Sequence, residues 1–313
     1  MSDLDDIFAE DWPEDHRSGV VAVVGRPNVG KSTLINRILG QKIAIVTDKP
    51  QTTRKQQLGI YTEPNGQILF TDTPGLHRPH HKLGEYMVDA AEHAIKDADL
   101  ILWVLDSSQP LQEGDRHIAA TLERLGGDTP VVLALNKTDQ LAADVDLSEH
   151  LAIFPHDNAM QVSGLQGTGV AQLVEFLLRQ LPHGPRYYPA DQVSEVNMRF
   201  VAAEVIREKI ILNTEQEIPH SVAVGIEEYK ERSEGGVYIN ATIYVERDSQ
   251  KGILIGKGGE MIKRLGSESR RELEDMLETK VFLDLHIKVL KNWRSDPELM
   301  KRLGYRQPKM DKR

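Results

Sequence analysis

The sequence predicts two domains. The first is an α/β domain with a mostly parallel sheet and helices on both faces; the second is a smaller α+β domain. Three observations predict this. The chain has 313 residues, against the roughly 100–200 typical of one domain. Up to about residue 182, continuous apolar runs alternate with helical patterns, as βαβ units require. Then Leu181–Gln192, with three prolines and a glycine, breaks the pattern, and a new order begins: helix, two alternating strands, helix, helix, strand.

Composition supports the division. Hydrophobic residues make up 40% and charged residues 27%, enough apolar material for two cores and too much for a disordered chain. No apolar run reaches the ~18–20 residues that span a bilayer. The opening MSDLDDIFAEDWPED is acidic, with neither a signal-peptide core nor the basic character of a transit peptide. Cysteine is absent, which excludes disulfides, thiolate metal sites and a thiol nucleophile. A cytoplasmic protein is expected. The net charge of -10 is uneven: residues 1–185 carry 15 basic against 26 acidic side chains, and residues 186–313 carry 23 against 22. The expected organisation is a disordered acidic leader over 1–17, the α/β domain over 18–182, a linker over 183–195, the α+β domain over 196–292 and a basic tail over 293–313.

Taken in order, Gly19–Gly25 is a β-branched run suited to a central parallel strand, and KSTLINRILG after it is a helix stopped by Gly40. Gly66–Thr73, Asp99–Asp106 and Pro130–Asn136 are further buried strands. EGDRHIAATLERLGG is a helix between the last two. Ala159–Gly164 is a short strand, and Val170–Leu181 a helix. In the second half, Val196–Asn213 is a helix. HSVAVGIEEYKE and GVYINATIYVER are strands joined near Ser233–Gly236, and KVFLDLHIKVL is a strand after a long helix over about Glu260–Glu278.

The chemistry lies at the ends of the first set of strands. Gly25-Arg26-Pro27-Asn28-Val29-Gly30-Lys31-Ser32, followed by Thr33, fits G-x-x-x-x-G-K-[ST] between a strand and a helix. Amides of such a loop converge on phosphate oxygens, and the helix N-terminus adds positive potential. Lys31 would reach the β and γ phosphates, and Ser32 would ligate Mg²⁺. Asp72-Thr73-Pro74-Gly75 closes a strand where an Asp can hold Mg²⁺ and a Gly amide can meet a γ-phosphate. Asn136-Lys137-Thr138-Asp139 closes another. A carboxylate there accepts from N1–H and the 2-amino group of guanine; adenine offers neither donor. Ser163-Gly164-Leu165 can add backbone contacts to the guanine carbonyl. Between Gln41 and Arg54, Thr53 is the first choice to complete the Mg²⁺ shell, and Thr52 the alternative. Each motif alone has a bland reading as a turn or a helix cap. Together, in this order, they predict a P-loop GTPase domain, with GTP, GDP and Mg²⁺ as its expected ligands.

Many GTPases carry a water-orienting Gln after the Gly of the Asp72 motif. Here Leu76 stands there, so slow intrinsic hydrolysis is expected, with Lys31, Thr53, Gly75 and Asn28 as the catalytic candidates. Arg26 and Arg54 are the nearby arginines.

In the second half, Gly256-Lys257-Gly258-Gly259 lies between two predicted helices and is similar to the G-x-x-G turn of a KH domain, a turn that clamps about four unpaired nucleotides. Lys251, Lys257, Lys263, Arg264, Arg270 and Arg271 surround it, opposed between 251 and 271 by Glu260 and Glu268. Gly256, Lys257, Gly258, Gly259, Lys263, Arg264 and Arg270 are the RNA-binding candidates. Lys288–Arg313 has nine basic and three acidic residues with Trp293 and Tyr305 interleaved, a pattern that suits either RNA tracking or, for Trp293, core packing. The eleven histidines, His80 and His81 among them, show no metal-ligand spacing and read as surface or loop residues.

GRPNVGKST, KPQTTR, DTPG and NKTD, with the α–β–β–α–α–β order around the G-x-x-G turn, resemble the Era family of bacterial GTPases from about Ser18 to Tyr305. The resemblance implies binding to the 3′ end of 16S rRNA, a role in assembly of the small (30S) ribosomal subunit, and peripheral contact with the inner membrane; DNA is not an expected partner. It also implies a hydrophobic residue at Leu76, and Asn28 helping to hold K⁺ near the phosphates as in related GTPases. One departure is Gly164, where the family more often has Ala; little consequence is expected because the contact there is made by backbone.

Overall fold

The computed structural model describes residues 12–47, 49, 52–76, 79, 81–142, 145–194, 197–232 and 235–305. In the first domain the elements are β1 (Arg17–Val24), α1 (Lys31–Leu39), β2 (Gln57–Glu63), β3 (Gly66–Asp72), α2 (Lys82–Lys96), β4 (Leu100–Asp106), α3 (Glu113–Leu125), β5 (Val131–Asn136), α4 (Ser148–Leu151), β6 (Asn158–Gln161) and α5 (Val170–Gln180). The strands form one sheet in the order β2-β3-β1-β4-β5-β6. β2 pairs antiparallel to β3, and every other pairing is parallel. β3, β4 and β5 are buried at every residue, as strands covered on both faces must be. One core cluster joins α1 and α5 to one face, and another joins α2 and α3 to the opposite face.

The second domain comprises α6 (Met198–Asn213), α7 (Ile218–Ser221), β7 (Ala223–Glu231), β8 (Val237–Val245), α8 (Asp248–Ile255), α9 (Glu260–Leu277), β9 (Val281–Val289) and α10 (Pro297–Arg302). Its sheet runs β7-β8-β9, with the first pair antiparallel and the second parallel. Odd-numbered residues of β8, from Val237 to Val245, are all buried, and the cores below them are shared with α6 and α9. Among the described residues, no helix is long and apolar enough to cross a membrane.

Several expectations need correction. The leader ends earlier than residue 17: Arg17 opens β1, and His16 is buried with Nδ1 2.7 Å from the Gly184 carbonyl. Residues 1–11 lie outside the described set. The linker is tied to the first domain: Gln67 Oε1 accepts from the amides of Tyr187 and Tyr188, and Gly59 bridges to Ser194. The tail does not trail free up to Tyr305. Trp293 is fully buried, donates from its indole N–H to the Ser221 carbonyl at 2.9 Å, and stacks on Tyr305. With Met300 these rings close over Leu83, Tyr86 and Met87 of α2. They are therefore an apolar seam between the domains, and residues 306–313 of the tail lie outside the described set. Histidines are not uniformly at the surface. His150 is buried as His16 is, and His81 caps α2 by accepting from the Gly84 amide. His80 and Ser233 lie outside the described residues.

Candidate nucleotide site and nucleic-acid groove

The phosphate loop links the buried end of β1 to α1. Its glycines are demanded by geometry. Gly30 has φ +97, and a Cβ there would meet Asn136 Nδ2 at 2.4 Å. Asn28 takes φ 66, a left-handed conformation that Asn tolerates better than most residues. Asn136 is a brace for this loop: its Nδ2 donates to Val29 O at 2.8 Å and its Oδ1 accepts from the Gly164 amide at 2.9 Å. Sequence reasoning placed it with the base contacts; the fold uses it to hold two ligand loops together.

Lys31 is buried at the head of α1 and donates to the carbonyls of Gly25 (2.8 Å) and Arg26 (3.2 Å). Ser32 Oγ donates to Asp72 Oδ2 at 2.8 Å, and Thr53 Oγ1 lies 3.1 Å from Ser32 Oγ and 3.3 Å from the same Asp72 oxygen. Thr52 is turned away into its own loop, bonded to Thr47 Oγ1 and the Lys49 carbonyl. Asp48, Pro50 and Gln51 of that loop lie outside the described residues. The other carboxylate oxygen, Asp72 Oδ1, is buried without a hydrogen-bond partner. Three oxygen-bearing side chains thus converge beside an orphaned carboxylate oxygen, a donor set suited to a hard divalent cation.

Burial lowers the Lys31 ammonium from its ordinary value to about 8, with Asp72 opposing and Arg26 assisting. Phosphate beside it would raise that value. The favourable charge interaction is then fully present below about pH 8 and is lost as pH rises through the bound-state value. Binding of GDP should therefore take up most of a proton at about pH 9 and very little at about pH 7. Calorimetry in two buffers of different ionisation enthalpy measures this. No uptake at either pH would contradict the placement of Lys31.

Beyond the loop, a cleft of about 970 Å³ is lined by Pro27, Asn28, Thr33, Lys137, Asp139 and Leu165. Asp139 Oδ1 accepts from Ser163 Oγ at 2.5 Å. Lys137, at φ 65, donates to Asp106 Oδ2 at 2.7 Å. Burial opposes ionisation of Asp106, but Lys137 and Ser108 together hold its carboxyl below the ordinary range. Arg26 pairs with Asp115 at 3.2 Å and approaches Asp106 at 3.7 Å, so it is committed to the cleft wall. Arg37, which sequence reasoning missed, donates to the carbonyls of Gly164 (3.3 Å) and Leu165. A Cβ on Gly164 would lie 3.1 Å from the backbone of Leu34, so Ala there needs α1 to give slightly. Thr73 Oγ1 donates to Val23 O at 2.8 Å, and a Cβ on Gly75 would meet Pro27 N at 2.9 Å. Pro74 lies between them. Leu76 is buried within the core shared with α2 and α3. Thr138 opens a single turn, its amide donating to the Val162 carbonyl.

In the second domain the turn sits between α8 and α9. Gly256 (φ +72) could not carry a Cβ, which would meet Met261 at 2.8 Å, whereas Gly258 (φ +61) and Gly259 (φ +82) face open space. Lys257, Lys263, Arg264 and Arg270 are exposed. Arg264 pairs with Glu268 at 2.9 Å, and Arg270 approaches Glu274 at 4.0 Å. Beyond the turn a groove of about 730 Å³ runs between α9 and the edge strand β9, with Lys263 and Arg270 on one wall. Its far wall was not read from sequence: the Arg232 guanidinium lies 4.1 Å from the Phe282 ring centre and 5.5 Å from that of Tyr238.

A phosphate loop, a magnesium-type oxygen cluster and a guanine-type cleft on one sheet, followed by a helix–turn–helix groove on another, define a P-loop GTPase joined to a KH domain. A family model described as a 50S ribosome-binding GTPase matches residues 20–137, and a KH-domain model matches residues 217–294. The GTPase Era of Thermotoga petrophila is 50% identical over 282 residues, covering 89% of this chain and 93% of that protein. A tyrosine-to-alanine variant of Era from Aquifex aeolicus, crystallised with GDP and tetrafluoroaluminate, is similar with 35% identity and a TM-score of 0.85, covering 92% of this chain and 99% of that one. An Era crystallised with MgGDPNP and nucleotides 1506–1542 of 16S ribosomal RNA is similar with 36% identity and a TM-score of 0.88, covering 93% and 99%. The chain belongs to the Era family of GTPases.

Proposed function

We propose that this chain is a GTP-controlled RNA-binding protein that recognises the 3′ end of 16S rRNA and acts in the cytoplasm in assembly of the small ribosomal subunit. The observation that carries the reading is the presence of both sites, whole, in a chain similar over nearly its full length to an Era crystallised with that RNA. Peripheral contact with the inner membrane belongs to the same reading by resemblance alone.

Ser32, Thr53 and Asp72 would hold Mg²⁺, which would neutralise charge developing on the β and γ phosphates. Lys31 and the loop amides would bind and orient those phosphates. At the position after Gly75, Leu76 packs into a core and offers no group to orient water. Arg26 is held by Asp106 and Asp115. Slow turnover follows, and Asn28, which lines both parts of the nucleotide cleft, would help hold K⁺.

The test is GTP turnover with and without an RNA oligomer of the 16S 3′ end, in matched Na⁺ and K⁺ buffers. RNA should raise turnover, and K⁺ should exceed Na⁺ in the wild type but not in Asn28→Ala. No response to the cognate RNA beyond that to a scrambled one would defeat the coupled function, and equal rates in both salts would defeat the K⁺ role.

A further inference from the structure

The segment carrying Thr53 is held by the second domain. Thr52 O accepts from Arg207 Nη2 of α6. Arg54 donates to Val222 O at 2.6 Å and Pro219 O at 2.9 Å, at the end of α7. Lys55 donates to Leu303 O at 3.2 Å and lies 4.8 Å from the Tyr305 ring centre. Earlier in the same loop, Lys42 Nζ and the Val46 amide both donate to Glu208, at 2.6 and 3.0 Å. Thr53 is therefore flanked on each side by a contact that crosses the domain boundary.

These contacts are costly to build without a purpose. Arg54 is 2% exposed and Arg207 1% exposed. A buried guanidinium is tolerated only when its protons are well bonded. Arg54 donates to two backbone carbonyls and bonds the Tyr305 hydroxyl, and burial lowers its pKa. Arg207 is paired with Glu204 in its own helix, yet its Nη1 is buried with no partner. An apolar pair would have closed this seam more cheaply. Two buried cations instead give hydrogen bonds directed at particular carbonyls, and water can replace them when the domains part. Such a seam is a latch rather than a weld.

Resting on the magnesium reading above, we propose that Arg207 of the second domain, and Arg54 through the second-domain carbonyls it bonds, are positioning residues that hold Thr53 beside Ser32 and Asp72. The γ-phosphate-sensing loop is then set by domain docking as well as by its ligand. By linkage, a metal–GTP complex that prefers Thr53 in this position strengthens the docked arrangement by the same factor.

The experiment compares wild type, Arg207→Ala and Arg207→Lys in the full chain. Mg²⁺ is titrated against a fluorescent non-hydrolysable GTP analogue, GDP binding is measured in EDTA, and amide hydrogen exchange is followed over residues 52–57. Loss of one charged hydrogen bond should raise the Mg²⁺ concentration for half-saturation about tenfold in Arg207→Ala, with Arg207→Lys between. Exchange over 52–57 should quicken while α1 and α9 stay as protected as before. Metal-free GDP binding should be unchanged. An unmoved Mg²⁺ midpoint with unmoved exchange would overturn the proposal. So would an equal loss of GDP binding in EDTA, which would make Arg207 a residue of the general fold. If wild-type binding shows no Mg²⁺ dependence at all, the metal reading fails by itself, and the exchange comparison still decides whether Arg207 holds the loop.

Discussion

Asp139→Asn should weaken GTP and GDP binding by on the order of 1.5–3 kcal/mol, the worth of a charge-assisted hydrogen bond, and should bring in xanthine nucleotides. The reason is the orientation of the side chain. Ser163 Oγ donates to Asp139 Oδ1 at 2.5 Å, which leaves the second carboxylate oxygen for the base. An Asn can keep that bond through its carbonyl oxygen, and this turns its amide toward the base. Guanine presents donors there; xanthine presents a carbonyl in place of the 2-amino group. Competition by GDP and XDP in fluorescent-nucleotide displacement measures the switch. Unchanged guanine affinity would remove Asp139 from the site.

Gly258→Asp should reduce RNA affinity at least about tenfold and leave nucleotide binding intact. Like charges about 4 Å apart near a protein surface repel by up to ~4 kcal/mol, and the new carboxylate would face the phosphate that the turn is built to approach. Position 258 separates this effect from misfolding. Its φ is +61 with no atom within 4 Å of a Cβ, and Asp is among the residues that visit the left-handed region. Substitution of Gly256 would instead drive a Cβ to 2.8 Å from Met261 and break the turn itself. Gel-shift or anisotropy titration of the 16S 3′-end oligomer measures the loss. Undiminished binding would move the RNA site away from the turn.

How far these sites can be read from sequence depends on whether the constraint is local. The phosphate loop is legible because a backbone cradle needs Gly, Lys and Ser at fixed offsets on one strand–helix turn. The central strands are legible because burial on both faces leaves only apolar residues. β2 was not read: Gln57–Glu63 is an edge strand whose burial fades to intermediate at its end, so its pattern is weak. α2 has apolar residues at helical spacing, with Leu83, Tyr86, Met87 and Ala90 buried, but its partners lie more than two hundred residues away at Trp293 and Tyr305. That same distance made the tail look like an RNA-tracking segment. Asn136 reads as a base contact within NKTD because nothing local reveals that the Val29 and Gly164 backbones meet it. Arg207 is visible as one cation among Ala202, Val205, Ile206, Ile210 and Ile211, all buried. What it bonds to is fixed only by docking of the other domain.

The central claim is that nucleotide and RNA bias one arrangement of two domains. The most direct measurement is the affinity of the full chain for the 16S 3′-end RNA in three states: with a non-hydrolysable GTP analogue, with GDP, and without nucleotide. Coupling of 1–3 kcal/mol, about 5–150-fold, is typical where two sites share a conformational equilibrium. The account predicts affinities that differ at least about fivefold between the GTP-analogue and GDP states. Equal affinity in all three states would contradict it and leave two independent modules on one chain.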